Sequence, residues 1–428
     1  MKLVIKNFAK IKDADIALNG ITVIAGENNS GKSTVGKVLG AVFHSFLCLD
    51  KVIYEHRLKN MASYFLKSLE FYENDKTFTS YWYRGLPVRR GNAEKEYIIS
   101  KLEYCNISSI TSVMEVFEEI ARERYSIDLQ LDTDMYNKLY NKISDSIKVS
   151  DTEIISRNIE QVFVDIFYGQ CNSLLNYDKA EISLEIQKKT NDIVFADNRC
   201  VGFSNGISLR HEVIYINNPY IIDVERGLRD DNSLLAKKLW QKLQKRDGDL
   251  VDTLIRENQW SDIGKSLDAI IPGELFIDER GTMMLQSTKY RKALKVRNLS
   301  SGVKAFAIIK RLLENGSIEE NGVIVFDEPE IHVHPEWQLL FAELLVLLQK
   351  KFDLTILLTT HSPYFINALE VYAYKHGVTE KMNTYLSVVS EDGISFRNVT
   401  EHMDEAYIPL AEPFNKLEEL RRILEMED

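Results

Sequence analysis

Cysteine is scarce in this chain: among 428 residues only Cys48, Cys105, Cys171 and Cys200 carry a thiol, and no two stand in C-x-x-C spacing. Neither a disulfide framework nor a cysteine zinc site is suggested, and a reducing, intracellular setting fits. A secretory leader is not expected either. MKLVIKNFAKIKDADIAL runs straight into strand-like alternation, without the apolar stretch of about 7–15 residues that a signal peptide needs. No later window approaches the roughly 18 uninterrupted apolar residues of a membrane span. The expectation is a soluble, cytoplasmic chain with no membrane contact. Basic excess is absent too: 53 Lys and Arg face 64 Asp and Glu, for a formal net charge of −11. That argues against a dedicated polyanion binder, and nucleic acid would need a local patch.

What is present is ordinary globular material, 45% hydrophobic and 27% charged, which excludes gross disorder for most of the length. At about 150 residues per domain, two or three domains fit.

The two ends carry most of the chemistry. KLVIKNF and ITVIAG alternate apolar and polar around the turn-like Leu18-Asn19-Gly20, the pattern of a hairpin or pair of strands. Directly after the strand Ile21 to Ala25 comes Gly26-Glu27-Asn28-Asn29-Ser30-Gly31-Lys32-Ser33, which fits G-x-x-x-x-G-K-[ST], and a helical pattern follows from Val35 to Phe46. Strand, glycine loop and helix in that order make a P-loop. Its glycines let backbone N–H groups close around phosphate oxygens, and the helix N-terminus adds its positive dipole end. Lys32 is expected to reach the β- and γ-phosphates of ATP. Ser33 is placed to put a hydroxyl on Mg²⁺, with Thr34 available for a further phosphate contact.

Near the other end, Val323 to Phe326 is an apolar run that ends in Asp327-Glu328-Pro329, as a buried parallel strand delivers acids to its carboxyl end. Asp327 is expected to hold Mg²⁺ through water, and Glu328 to polarise the attacking water as general base. A further strand, Leu354 to Thr360, ends at His361, whose imidazole would sit beside the γ-phosphate. Between these, Asn298 to Lys304 opens an amphipathic helix with Phe306, Ile308, Ile309 and Leu312 apolar, so Ser300, Ser301 and Gly302 stand at an anion-binding helix start.

In this order, P-loop, Leu299-Ser300-Ser301-Gly302, acid pair and strand-terminal histidine, the set resembles the ABC-type ATPase head of the SMC, RecF and OLD branch. The signature match is loose, since the usual second-position Gly and the following Gln are absent. The run from Asp327 to Gln338, DEPEIHVHPEWQ, with Thr359-Thr360-His361-Ser362-Pro363 downstream, resembles the bacterial AAA-type ATPases grouped with OLD nucleases and phage-defence ATPases. The resemblance implies an α/β ABC/SMC-like P-loop head with a mixed sheet, an antiparallel β layer and a helical insertion. It further implies two heads stacked head to tail, each ATP held by Lys32, Ser33, Asp327, Glu328 and His361 of one subunit and Ser300 to Gly302 of the other. His332 and His334 form H-x-H, but no third ligand is visible, and the segment corresponds to that family's D-loop.

The middle carries no motif by which a family is named from the sequence. The stretch from Ser33 to Leu299 is much longer than the corresponding part of a transport ATPase, which disfavours a transporter subunit. Helical patterns fill Val52 to Asn176, with Val113, Val116, Phe117 and Ile120 on one face of Ser112 to Arg124, and Ile155, Ile159, Val162, Phe163 and Ile166 on one face of Thr152 to Leu175. No heptad run is long enough for a coiled-coil arm. Strands are expected at Glu181 to Gln187, Asp192 to Ala196 and Glu212 to Ile216, and again at Thr384 to Val389 and Ile394 to Val399, before an acidic helical tail. The expected organisation is an N-terminal ATPase lobe at 1–50, a helical insertion at 51–178, an antiparallel layer at 179–222, a second helical segment with a hairpin at 223–297, and a C-terminal lobe at 298–428.

A Q-loop glutamine is not identified: the Asn217-Asn218-Pro219 turn holds none, and Gln170 is a weaker candidate. Two basic clusters stand out, Arg84, Arg89 and Arg90 with Tyr81, Trp82 and Tyr83, and Lys289, Arg291, Lys292, Lys295 and Arg297. Either could contact nucleic-acid phosphates; a solvated face is the alternative. The expectation is that no nuclease domain belongs to this chain and that any nuclease or toxin is a separate one. The expectation is an ATP-hydrolysing homodimer, slow and partner-regulated, that controls such an effector in anti-phage defence. The alternative is a RecF-like DNA maintenance ATPase that binds DNA directly.

Overall fold

The computed structural model describes residues 1–75, 88–131, 133–176, 178–224, 233–244 and 261–427. Two compact units emerge, one formed by residues 1–47 and 159–428, the other by 48–158.

The first unit is built on an eleven-stranded sheet in the order β6-β5-β4-β1-β2-β14-β13-β3-β12-β11-β7. Five strands make its parallel half: β3 (Ile21–Ala25), β7 (Ile214–Ile216), β11 (Val323–Asp327), β12 (Thr355–Thr360) and β13 (Met382–Ser390). β3, β11 and β12 are buried along nearly their whole length, because helices cover both faces of a parallel sheet. On one face lies α1 (Lys32–Phe46); the other belongs to α9 (Ser301–Glu314), α10 (Pro335–Phe352) and α11 (Pro363–His376). Phe341 anchors this second layer, edge-on to Phe306 at 5.2 Å and to Phe326 at 5.9 Å between ring centres.

The other half of the sheet is antiparallel: β1 (Lys2–Phe8) pairs with β2 (Ile11–Ala17) and β4 (Ala180–Ile186), and β4 leads through β5 (Lys189–Ala196) to β6 (Arg199–Asn205). β14 (Gly393–Asn398) joins the halves, antiparallel to β13 and parallel to β2. Three expectations are corrected here. KLVIKNF and ITVIA are both strands, β1 and β3, but they do not form a hairpin with each other: β1 pairs with β2, closed at Ala9-Lys10, and the Leu18-Asn19-Gly20 turn sends the chain past β14 and β13 to β3. β6 was not foreseen as a strand, and Ile214–Ile216 lies on the parallel edge beside β11, outside the antiparallel layer.

The third correction concerns α6 (Asp151–Phe167), which stops short of Leu175 because Tyr168 (φ 54°) and Gly169 (φ 81°) turn left-handed. Its last turns pack Phe163 and Phe167 against Phe8, with ring centres 6.0 and 4.8 Å away. Beyond the sheet, α7 (Leu234–Leu243) and α8 (Ser261–Ile270) precede a small antiparallel sheet of β8 (Glu274–Ile277), β9 (Met283–Gln286) and β10 (Leu294–Lys295). The unit ends in α12 (Asp404–Glu427).

The second unit is helical, formed by α2 (Leu49–Asp75), α3 (Val88–Leu102), α4 (Ile110–Tyr125), α5 (Thr133–Lys148) and the start of α6. Leu58, Phe65, Phe117, Leu139 and Ile143 form its core, with Phe65 and Phe117 stacked at 4.5 Å. The apolar face read on α4 is the buried one: Val113, Phe117 and Ile120 are fully enclosed, and Val116 packs against them. Among the described residues no helix is long and apolar enough to cross a membrane.

Candidate functional site

Register places the chemistry. Ala25 at the end of β3 lies opposite Thr360 of β12, while Thr359 lies opposite Asp327 of β11, so three parallel strands finish side by side. The P-loop, the acid pair and His361 leave these three ends. That is the carboxyl edge of an open α/β sheet, where such folds gather ligands.

The loop from Gly26 to Gly31 connects β3 to α1. Gly26 has φ 153°, and a Cβ there would lie 1.8 Å from Ser387 Oγ on β13. Only glycine allows that approach. Ser387 Oγ donates to Ser30 Oγ at 2.7 Å, and Ser30 in turn donates to the Glu27 carbonyl at 2.6 Å, so β13 braces the loop. Gly31, at φ 78°, stands before α1 with no side-chain cap; the Thr34 N–H bonds the Gly31 carbonyl at 3.1 Å, and the Lys32 and Ser33 N–H groups open the helix. Lys32, 3% exposed, donates its Nζ to the Glu27 carbonyl at 2.6 Å and lies 3.5 Å from Glu328 Oε1. A cleft of about 340 Å³ is lined by Asn29 to Thr34 and Glu328 on one side and by Lys10, Leu174 and Ile394 on another. Lys10 Nζ donates to Asn29 Oδ1 at 3.3 Å. Gly26 and Asn28 do not line that cleft.

Asp327 is held at both oxygens. The Tyr215 hydroxyl donates to Oδ2 at 2.7 Å and the Thr359 hydroxyl to Oδ1 at 2.5 Å. Burial, followed by the adjacent Asp327 carboxylate, drives the Tyr215 hydroxyl well above the ordinary phenol range, so it remains a donor. Glu328 adopts the left-handed conformation (φ 50°, ψ 52°), uncommon for a non-glycine residue. Its N–H bonds both the carbonyl and the hydroxyl of Thr359 at 3.1 Å. His361 Nδ1 lies 3.8 Å from Glu328 Oε1 and 3.7 Å from Glu330 Oε1.

Lys32, Glu328 and His361 therefore converge, with Asp327 next to Glu328. Ser300, Ser301 and Gly302 do not join them. Ser301 Oγ donates to the His332 carbonyl at 3.4 Å, and Gly302 packs against His332 and Val333. No side chain caps the N-terminus of α9. His332 and His334 have separate tasks: the first packs edge-on to Tyr220 at 5.6 Å, and the second accepts the Glu336 N–H at 3.4 Å to cap α10. Asn218 caps the short 3-10 turn Pro219–Asp223, and Gln170 is exposed behind α6.

Tyr81, Trp82, Tyr83 and Arg84 of the first basic cluster lie outside the described residues; Arg89 and Arg90 fall in the first turn of α3. In the second, Lys289, Arg291 and Lys292 are exposed on the β9–β10 connection and Lys295 is exposed on β10, and Arg297 donates to the Asp223 carbonyl at 3.5 Å.

Sequence reasoning missed Tyr215, Thr359, Glu330 and Ser387. The first two bear hydroxyls on the strands that flank β11, a signal visible only once strand order is known.

The donor set fits a phosphate and a hard cation. A buried ammonium and an uncapped helix start suit phosphate. A carboxylate already fixed by two hydroxyls keeps lone pairs for a hydrated Mg²⁺ better than for a directly bound one. Among solved structures, the chain is similar to the SMC head domain from Thermotoga maritima at 11% identity, covering 93% of this chain and 98% of that one with a TM-score of 0.38. It is also similar to the Smc head domain with an extended coiled coil bound to the C-terminal domain of ScpA from Pyrococcus furiosus, at 12% identity, 98% of each chain and a TM-score of 0.34. The family model described as AAA ATPase domain (AAA_15) matches residues 1–366. With that match across most of its length, the chain belongs to the AAA ATPase domain family.

Proposed function

We propose that this ATPase closes as a head-to-tail homodimer around two ATP molecules and, through that motion, controls a separate nuclease or toxin in anti-phage defence. The observation that carries the reading is a split site. Lys32, Glu328 and His361 converge at one edge of the sheet, while Ser300 to Gly302 present an uncapped helix N-terminus away from it. A second copy, turned head to tail, supplies that helix start to the γ-phosphate.

In this reading the N–H groups from Asn29 to Thr34 and the Lys32 ammonium hold the β- and γ-phosphates, and the base and ribose lie along Lys10, Leu174 and Ile394. Bound Mg²⁺, held by Ser33 and through water by Asp327, would neutralise phosphate charge. Glu328 accepts the proton of the attacking water, and His361 donates to a γ-phosphate oxygen. ATP favours the closed dimer because it contacts both copies, and hydrolysis removes that preference. Turnover is slow until the partner aligns the two halves. The effector and defence role is supported by the resemblance of DEPEIHVHPEWQ to phage-defence ATPases.

The test is complementation in trans. Lys32→Ala abolishes ATP binding, and Ser301→Arg binds ATP but does not close. Equal mixing restores one intact site in half of the dimers, about a quarter of wild-type ATPase activity. No recovery from two folded, exchanging variants overturns the composite site. A pull-down with Glu328→Gln in ATP and Mg²⁺ then identifies the partner, and a stoichiometric nuclease or toxin is the expected result.

A second reading, a RecF-like ATPase that binds DNA directly, is favoured by the exposed Lys289, Arg291, Lys292 and Lys295, for which no acidic partner is seen among the described residues. Affinity for duplex DNA that falls steeply with salt, and is lost on charge reversal of these four, would select it.

A further inference from the structure

Glu330 is a buried acid that the mechanism above does not use. Pro329 opens a 3-10 turn after the acid pair, and this turn folds the Glu330 side chain back beneath the end of β12, where it is 3% exposed. There it accepts the Thr360 hydroxyl and, at 3.2 Å, the His361 backbone N–H, both at Oε1. The same oxygen lies 3.7 Å from His361 Nδ1. Two atoms in this cluster are buried without a hydrogen-bond partner among the described residues, Glu330 Oε2 and His361 Nδ1. The remainder of the imidazole is open, His361 being 40% exposed.

Nδ1 thus stands between two carboxylates, Glu328 at 3.8 Å and Glu330 at 3.7 Å. If the ring paired with Glu328, it would occupy the oxygen needed for water. A neutral imidazole that donated from Nδ1 would also turn a bare Nε2 to the nucleotide, unable to donate.

We propose that Glu330 is the positioning residue for His361: its carboxyl group and Nδ1 share one proton, which keeps a proton on the outward Nε2 and leaves Glu328 free. The present 3.7 Å separation is longer than a hydrogen bond and closes in this arrangement: with the shared proton on Glu330, the carboxyl O–H donates to Nδ1 and the neutral ring carries its own proton at Nε2. With the shared proton on Nδ1, an imidazolium faces a carboxylate, and Nε2–H is again present. The pair is neutral in both arrangements. Burial, opposed by the Thr360 hydrogen bond, pushes the Glu330 carboxyl above the ordinary carboxylate range.

Glu330→Gln separates this role from packing. The amide keeps the volume, and the Thr360 hydroxyl and His361 N–H pin its carbonyl where Oε1 was. A carbonyl facing Nδ1 only accepts, so the neutral ring moves its proton to Nδ1 and Nε2 is left bare. The inference rests on His361 facing the γ-phosphate, and the experiment separates the two claims.

Steady-state ATPase and ATP affinity are measured for Glu330→Gln, His361→Gln and the double variant, each checked by circular dichroism. Glu330→Gln is expected to lower kcat by on the order of tenfold or more with ATP affinity little changed, and the double variant to be no slower than His361→Gln alone. Imidazole ¹⁵N spectra, with the His361 signal assigned by its absence in His361→Gln, are expected to show Nε2 protonated in the wild type and Nδ1 protonated in Glu330→Gln. Losses that multiply in the double variant, or an unchanged His361 tautomer, overturn the proposal. Should His361→Gln hydrolyse ATP at the wild-type rate, the role of His361 itself falls, and this inference with it. If Glu330→Gln does not fold, Thr360→Val, which removes one of the two donors pinning that carboxyl, must lower kcat through the same non-additivity with His361→Gln; additivity there overturns the proposal equally.

Discussion

Asp327 receives two hydroxyl donors, from Tyr215 at 2.7 Å and Thr359 at 2.5 Å, and Tyr215→Phe removes one of them while sparing the packing. The ring is 3% exposed and lies against α1 at Gly36, so phenylalanine fills the same space. A hydrogen bond to a charged group contributes about 1.5–3 kcal/mol. Asp327 is only partly buried, so water satisfies some of the vacated lone pair, and the expected net loss is about 1–2 kcal/mol. In the free protein that is a modest fall in melting temperature, a few degrees at most for a chain of this size. If the lost energy falls on the metal-bound state, it corresponds to a rise of about five- to thirtyfold in the Mg²⁺ concentration that half-saturates ATPase activity.

Thr359→Val probes the other oxygen. It also removes one partner of the Glu328 N–H, but the Thr359 carbonyl at 3.1 Å remains, so that N–H is not stranded. The double variant leaves Asp327 without either hydroxyl and is expected to cost more than the sum of the singles, with a coupling of about 1 kcal/mol. The assay is a Mg²⁺ titration of ATP turnover for the four proteins, beside thermal melting without nucleotide. Unchanged Mg²⁺ dependence in both single variants, or strict additivity in the double, would refute the view that these hydroxyls orient the carboxylate.

Gly26→Ala should abolish ATP binding in a fluorescent-nucleotide titration, because its Cβ lands 1.8 Å from Ser387 Oγ at φ 153°; adding Ser387→Gly relieves the collision but not the backbone angle, so recovery is partial. His44 on α1 is buried, and that burial, modulated by Glu212, Lys238 and Lys242, lowers its pKa to about 4. From an ordinary value near 6.5 down to about 4 the unfolded chain binds a proton that the folded one refuses, so this group makes stability fall with falling pH across that window, by about 2 kcal/mol at pH 5. Melting curves between pH 7 and pH 5 should show the fall, and His44→Leu should flatten it; an equal slope in that variant would assign the pH dependence to other groups.

The elements most readable from the chain were those whose local pattern already contains their environment. β3, β11 and β12 are short apolar runs that end in polar residues, and a strand covered on both faces has no other way to look. Pairing is different, since the pattern of a strand does not name its neighbour. Ile11–Ala17 and Ile214–Ile216 were thus misplaced or unseen until the sheet order was known. The same blindness hid Tyr215, Thr359, Glu330 and Ser387, each of which acts on a residue distant in sequence.

These hidden contacts share one cause. Asp327 opposite Thr359, and Thr360 opposite Ala25, are consequences of register. A slip of one residue between β11 and β12 would turn Thr359 to the other face and take its hydroxyl from Asp327. Register in turn is imposed by the apolar side chains of the same strands, which pack against α1 on one face and the layer around Phe306 and Phe341 on the other. The residues with the polar chemistry are therefore aligned by the buried residues that precede them on each strand. Core substitutions along β11 or β12 should accordingly damage turnover before they damage nucleotide binding, because Lys32 and its loop depend on β3 and β13, whereas Asp327, Glu328 and His361 depend on the β11–β12 pair.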